Sequence, residues 1–78
     1  MAQLKTIEVL GEHCPQLFCR IMGLFAQQNL IPAQMEAKSS THAIRLSLSV
    51  DAIDDQRLRI ITEKIRALVN VETVALIE

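Results

Sequence analysis

Two neighbouring residues, His13 and Cys14, are the pair in this chain best suited to chemistry. They stand just before Pro15. Proline is favoured at the first position of a helix, where its missing N–H costs no hydrogen bond and its φ is already set. A thiol at a helix N-terminus sits among free N–H groups and the positive end of the helix dipole, which favour the thiolate. Such a pair would suit a thiol-based enzyme or redox protein using Cys14. A nucleophile also needs a base held by a third group, and no residue marks one. The plainer reading makes His13 a loop residue and Cys14 an N-cap, a weaker one than Ser or Asp. Metal binding would draw on Glu12, His13, Cys14, Cys19 and His42. These lack the short paired spacing of structural zinc sites, and His42 falls in a polar turn. The expectation is no catalytic residue, no metal and no cofactor.

The element that positions this pair is a helix starting at Pro15. Leu17, Ile21, Leu24 and Phe25 follow at offsets of four, three and one, one face of a 3.6-residue repeat. Phe18 and Met22 widen that face sideways. Gln27, Gln28 and Asn29 end it, with Asn29 in the left-handed C′ position. Gly23 lies inside the helix, where glycine costs about 1 kcal/mol against alanine. Either another backbone approaches it, within the monomer or across a subunit contact, or it is merely tolerated.

Seventy-eight residues, half of them apolar, allow one small domain over residues 1–78. Phe18 and Phe25 are the two aromatic residues, so the core must come from aliphatic side chains. A domain this small is marginal alone, and oligomerisation is expected to supply part of the burial. Eight basic and nine acidic residues give a net charge of −1, with no basic stripe, so nucleic acid is excluded as a partner class. No apolar run approaches the ~20 residues that span a bilayer. Met1 to Thr6 lacks the apolar stretch of a secretory signal. Cys14 and Cys19 are five apart along one or two helix turns, which leaves their Cα atoms too far apart, or pointing too differently, for an easy disulfide. Two cysteines without a framework suit a reducing, cytoplasmic setting.

In chain order, Gln3 to Leu10 reads as a first strand, with Ile7 and Val9 alternating with Thr6, Glu8 and Leu10. Gly11 breaks it, and Glu12 to Cys14 lead into the helix. After Leu30, Ile31 and Pro32, a second strand places Ala33, Met35 and Ala37 inward; the proline suits an edge. Lys38 to His42 forms a polar hairpin turn. The third strand alternates most clearly: Ile44, Leu46, Leu48 and Val50 on one face, Ala43, Arg45, Ser47 and Ser49 on the other. Asp51 or Asp54 caps a second helix. Leu58, Ile61, Ile65 and Leu68 are its buried stripe; Arg57, Arg59, Glu63, Lys64 and Arg66 are its wet face. Asn70 stops it, and Val71 to Ile77 is a fourth strand with Val74 and Leu76 inward. This βαββαβ order is that of an α+β, ferredoxin-like sandwich, two helices on one face of an antiparallel sheet. Right-handed crossovers give the strand order 4-1-3-2.

The run Ile21 to Ile31, IMGLFAQQNLI, with the loop and strands around it, resembles the first helix and following turn of ACT domains. It is most similar to those in the small, regulatory subunits of acetolactate synthase, and the resemblance spans nearly the whole chain. It implies an ACT-type fold and a non-catalytic regulatory or assembly subunit, partnered by a large catalytic subunit in branched-chain amino acid biosynthesis. The alternative is a stand-alone small-ligand sensor or interaction module. By resemblance, a small amino acid effector would bind the loop Gly11, Glu12, His13, Cys14, Pro15, Gln16 and Leu17. The facing turn is Leu30, Ile31, Pro32 and Ala33. N–H groups at a helix start favour a carboxylate. Two positions depart from the family's pattern. Gln16 stands where glycine is usual and crowds the backbone cradle. Ile31-Pro32 stands where Asn-Ile is usual, and Ile31 offers an amino group no hydrogen bond. Either the ligand differs from valine, or the site is silent and the domain serves assembly.

The sequence also predicts a homodimer. The second strand has only Glu36 and Lys38 as charged guards, complementary in sign across a two-fold axis. Phe18 and Met22 offer apolar surface beside the first helix's main stripe. The expected interface therefore includes Phe18, Met22, Met35, Glu36 and Lys38. It would bring the Leu30–Ala33 turn of one chain toward the Gly11–Leu17 loop of the other.

Overall fold

The computed structural model describes residues 4–77; the expected strand start at Gln3, and the stretch before it, lie outside them. Six elements follow in the order β1 (Leu4–Glu12), α1 (Pro15–Gln27), β2 (Gln34–Ser39), β3 (Ala43–Asp51), α2 (Asp55–Arg66) and β4 (Val71–Ile77). They form one antiparallel sheet in the order β2-β3-β1-β4. This is the expected ferredoxin-like sandwich, read from the other edge.

Alternation builds the core. Ile7 and Val9 of β1 pair with Leu48 and Leu46 of β3, and with Leu76 and Val74 of β4, so these side chains share one face. Leu17, Ile21 and Phe25 of α1, with Leu58, Ile61 and Ile65 of α2, close over that face and are buried. Thr62 joins the buried stripe because its hydroxyl donates to the Leu58 carbonyl at 2.7 Å. The other sheet face stays polar. On it Thr6 and Ser49 share a hydroxyl hydrogen bond of 2.9 Å across β1 and β3.

The ends of α1 follow local chemistry. Asn29 adopts φ 55°, and the N–H groups of Asn29 and Leu30 donate to Ala26 and Phe25 carbonyls. That double bond pattern is a Schellman cap, with asparagine where glycine is usual. Asp54 caps α2 by accepting the Arg57 N–H at 2.8 Å. Asp55 in the first turn, and Lys64 and Arg66 in the last, complement the helix dipole.

Several expectations need correction. β1 does not stop at Gly11; it runs through Gly11 and Glu12, which pair with Ile44 and Ala43. α2 ends at Arg66, so Leu68 lies beyond the helix and Asn70 ends a turn rather than the helix. Arg57 is half-buried rather than on the wet face, because its guanidinium reaches the Gln28 carbonyl at 2.5 Å. Met35 and Ala37 do share the face of Leu48 and Leu46, yet all of β2 is exposed, since the helices leave that edge uncovered.

Candidate functional site

The loop between β1 and α1 is fixed from below. Leu17 is fully buried and anchors the first turn of α1. Gly11 is buried against it: a Cβ there would collide with Leu17 Cδ2 and lie 2.8 Å from the Asn70 carbonyl oxygen. The same carbonyl accepts the Glu12 N–H at 2.9 Å. Pairing with β4 shifts between Leu10 and Gly11, which lets the end of β1 meet this turn. Asn70 Nδ2 also donates to the half-buried Cys14 Sγ at 3.7 Å. Asn70 thus holds both ends of the loop. Its partners lie more than fifty residues away in sequence, so no local pattern announces it.

Above that base, Glu12, His13, Pro15 and Gln16 are exposed. Cys14 is the N-cap in extended conformation, and its side chain makes no capping bond. The first turn of α1 holds no acidic residue. Pro15 supplies no N–H, so the backbone donors an anion could meet there belong to Cys14 and Gln16. That is a smaller cradle than three consecutive N–H groups.

The facing turn is also set in place. Leu30 and Pro32 are half-buried, while Ile31 is 88% exposed. Ala33, itself exposed, donates its N–H to the Ser49 carbonyl at 2.7 Å and aligns β2. Met22, Phe25, Ala26, Leu30, Ile31 and Pro32 line a shallow apolar groove of about 320 Å³. In one chain the two halves do not meet: the helix between them is about 20 Å long at 1.5 Å per residue.

The expected interface residues divide. Met35 is 46% exposed on β2. Glu36 and Lys38 pair with each other, 3.8 Å apart on the same strand. Phe18 and Met22 are half-buried against their own chain's core, so they offer less free surface than a lateral position implies. Beyond its chain neighbours and the surrounding helix backbone, nothing lies within 4 Å of a Cβ added at Gly23. Packing inside the monomer therefore does not account for that glycine.

His42 occupies the β2–β3 turn, which Ser40 Oγ holds by accepting the His42 and Ala43 N–H groups. Glu12 pairs with Ala43, so His42 stands at the same end of the sheet as the candidate loop. Among the described residues no three His, Cys, Asp or Glu side chains lie close enough to hold a metal ion. Cys14 and Cys19 are both free thiols. No described helix is long and apolar enough to cross a membrane.

Comparison with known proteins agrees with this architecture. The ACT domain of GTP pyrophosphokinase from Chlorobium tepidum superposes with a TM-score of 0.85 at 17% identity, over 99% of this chain and 100% of that one. The small subunit of acetolactate synthase from Thermotoga maritima gives 0.80 at 20% identity, over 97% of this chain and 48% of that one. The regulatory subunit of aspartate kinase from Thermus flavus gives 0.72 at 13% identity, over 96% and 54%. At these identities the likeness is one of fold. No curated protein sequence matches the chain. The family model described as ACT-like domain matches residues 3–78, nearly the full length, and the chain therefore belongs to the ACT-like domain family.

Proposed function

We propose that this chain is a non-catalytic regulatory or assembly module. It works as a homodimer in a reducing, cytoplasmic compartment and serves a larger catalytic partner, with acetolactate synthase the leading candidate. The observation that carries the proposal is the open N-terminus of α1. It has no acidic residue in its first turn and no side-chain cap, and it sits beside an exposed loop on a rigid base. Those features favour a carboxylate ligand at the Cys14 and Gln16 N–H groups.

The sheet supports building the site from two copies. Gln34 of β2 pairs with Ser49, and Ser39 pairs with Ile44, which in turn pairs with Gly11. A two-fold axis that runs β2 antiparallel to its mate therefore carries the Leu30–Ala33 turn of one copy to the Gly11 end of the other. Cys19, Gly23 and Ala26 are small and exposed along α1, which lets a second helix approach closely.

Calorimetric titration with valine, leucine and isoleucine tests the effector reading. Gln16→Gly opens the cradle and Ile31→Asn restores an amino-group partner. Each is expected to tighten binding about tenfold, the worth of roughly 1.4 kcal/mol. If the double variant binds none of the three, the effector reading falls and the assembly role stands alone.

A further inference from the structure

β4 is the second edge of the sheet, and it is thinly guarded. Edge strands expose unpaired N–H and C=O groups, which proteins usually protect with charge, proline or a bulge. Along Val71–Ile77 the strand has no proline, and its one charged residue, Glu72, falls where the pairing with β1 shifts register, so charge and bulge guard its start while Thr73–Ile77 has neither. Leu76 and Ile77 are 43% and 48% exposed. Ile77 lies on the other face of the strand from Leu76. Beside Leu76, on the helix-covered face, α2 leaves a groove of about 340 Å³ lined also by Leu58 and Thr62. Its rim is Asp55, Arg59, Glu63 and Arg66, all exposed.

The rim charges are ordered. Their spacing of four, four and three puts them on one stripe of α2. The signs run minus, plus, minus, plus from Asp55 to Arg66. Such a stripe complements itself when turned end for end. Two copies laid antiparallel about a point near Ile61 set Arg59 against the second copy's Glu63, and Asp55 against its Arg66. Within one chain Asp55 already meets Lys5, and Glu63 meets Arg66 at 2.6 Å. The Glu63–Arg66 pair is exposed on both sides, and such pairs are weak and rearrange readily. Asp55 keeps its half-buried Lys5 partner and still turns an exposed carboxylate toward the second copy's Arg66.

The strand beside the helix is in step with it. At about 1.5 Å per helical residue, Ile61 lies roughly 7.5 Å before Arg66. At about 3.3 Å per strand residue, Thr73 and Val74 lie roughly 7–10 Å beyond Val71. The short turn 67–70 joins the two elements. One axis therefore passes level with the middle of both. About Val74 it sets Glu72 opposite the second copy's Leu76 rather than opposite a like charge.

We propose that the β4 edge and the charged rim of α2 form a self-complementary contact between two copies of this chain. It does not rest on the effector reading. β2 lies at the opposite edge of the sheet, so both contacts fit on one chain, which then associates beyond the dimer as concentration rises.

Sedimentation equilibrium of the full chain carrying Met35→Lys tests this, because that change closes off the β2 contact. In that background the chain is expected still to self-associate, and less so as salt is added. Arg59→Glu or Glu63→Arg sets like charges across the axis and should weaken association about tenfold or more. Mixing the two variant chains should restore it, since their altered stripes are opposite in sign. A monomeric Met35→Lys chain would overturn the proposal. So would single variants that associate like their parent, or a mixture that associates no better than either variant alone.

Discussion

The carbonyl oxygen of Asn70 lies 2.8 Å from the point a Cβ on Gly11 would occupy, and it accepts the Glu12 N–H at 2.9 Å. Backbone therefore stands where a side chain would have to go, and backbone does not yield as a flexible side chain does. Gly11→Ala is expected to destabilise the domain by about 1–3 kcal/mol, the usual cost of overpacking. Urea unfolding checks it; an unchanged midpoint would mean the turn at Asn70 gives way freely.

Arg57 ties the start of α2 to the end of α1. Its guanidinium donates to the Gln28 carbonyl at the C-terminal end of α1, where a positive charge is also favoured. Arg57→Met keeps much of the bulk and removes both effects. A loss of about 1–2 kcal/mol is expected in thermal unfolding, and Arg57→Lys should recover part of it. Equal melting temperatures for the parent and the Arg57→Met chain would show the contact to be idle.

What the sequence disclosed, and what it hid, follow from the range of the interactions. β4 and the start of α1 were legible to the residue, and the end of α1 to within two, because Pro15, the Leu17–Ile21–Phe25 spacing and the run after Asn70 are local signals. The Asn29 cap was legible for the same reason. The partners of Asn70, the bond from Arg57 to Gln28 and the pairing of Lys5 with Asp55 were not, since each joins distant parts of the chain. Gly11 misled because glycine usually marks a break. Here it continues a strand that has no room for a side chain. Ala52 gives no warning either: alanine holds φ 54° between β3 and α2, a conformation that favours glycine. The candidate loop was readable as a loop. Its reduced set of N–H donors was implicit there too, since Cys14 reads as the N-cap and Pro15, which has no N–H, as the first helical residue.

Asp55 links stability to pH. The hydrogen bond from Lys5, then the charge of Lys5, hold its carboxyl below the ordinary value of 3.8. A group that releases its proton more readily when folded stabilises the native state above its unfolded value. That contribution is lost as pH falls through the folded value. The melting-temperature gap between the parent and Asp55→Asn should be flat above about pH 5 and should narrow below about 3.8. The gap is small, since Asp55 is exposed. A gap that widens on acidification would contradict the pairing.

Gly23 and Met35 separate dimer from monomer. Open space surrounds a Cβ at Gly23, so Gly23→Ala should raise monomer stability by about 1 kcal/mol through helix propensity. If α1 meets its mate there, the same change weakens association. Met35→Lys should shift the β2-mediated dimer toward smaller species with little effect on the fold, because Met35 is already half exposed. Phe18→Glu is a blunter test, since Phe18 also packs on its own core. Sedimentation that leaves both Gly23→Ala and Met35→Lys unchanged would argue against an α1–β2 interface.

In the proposed function a small carboxylate effector binds at the start of α1, with the turn after α1 supplied by a second copy. Amide chemical shifts of the labelled chain, followed during titration with branched-chain amino acids, test it most directly. The Cys14 and Gln16 amides are expected to move first, and Ile31 and Ala33 to move with them although they lie a helix-length away in the same chain. Shifts confined to α2 and β4 would contradict it.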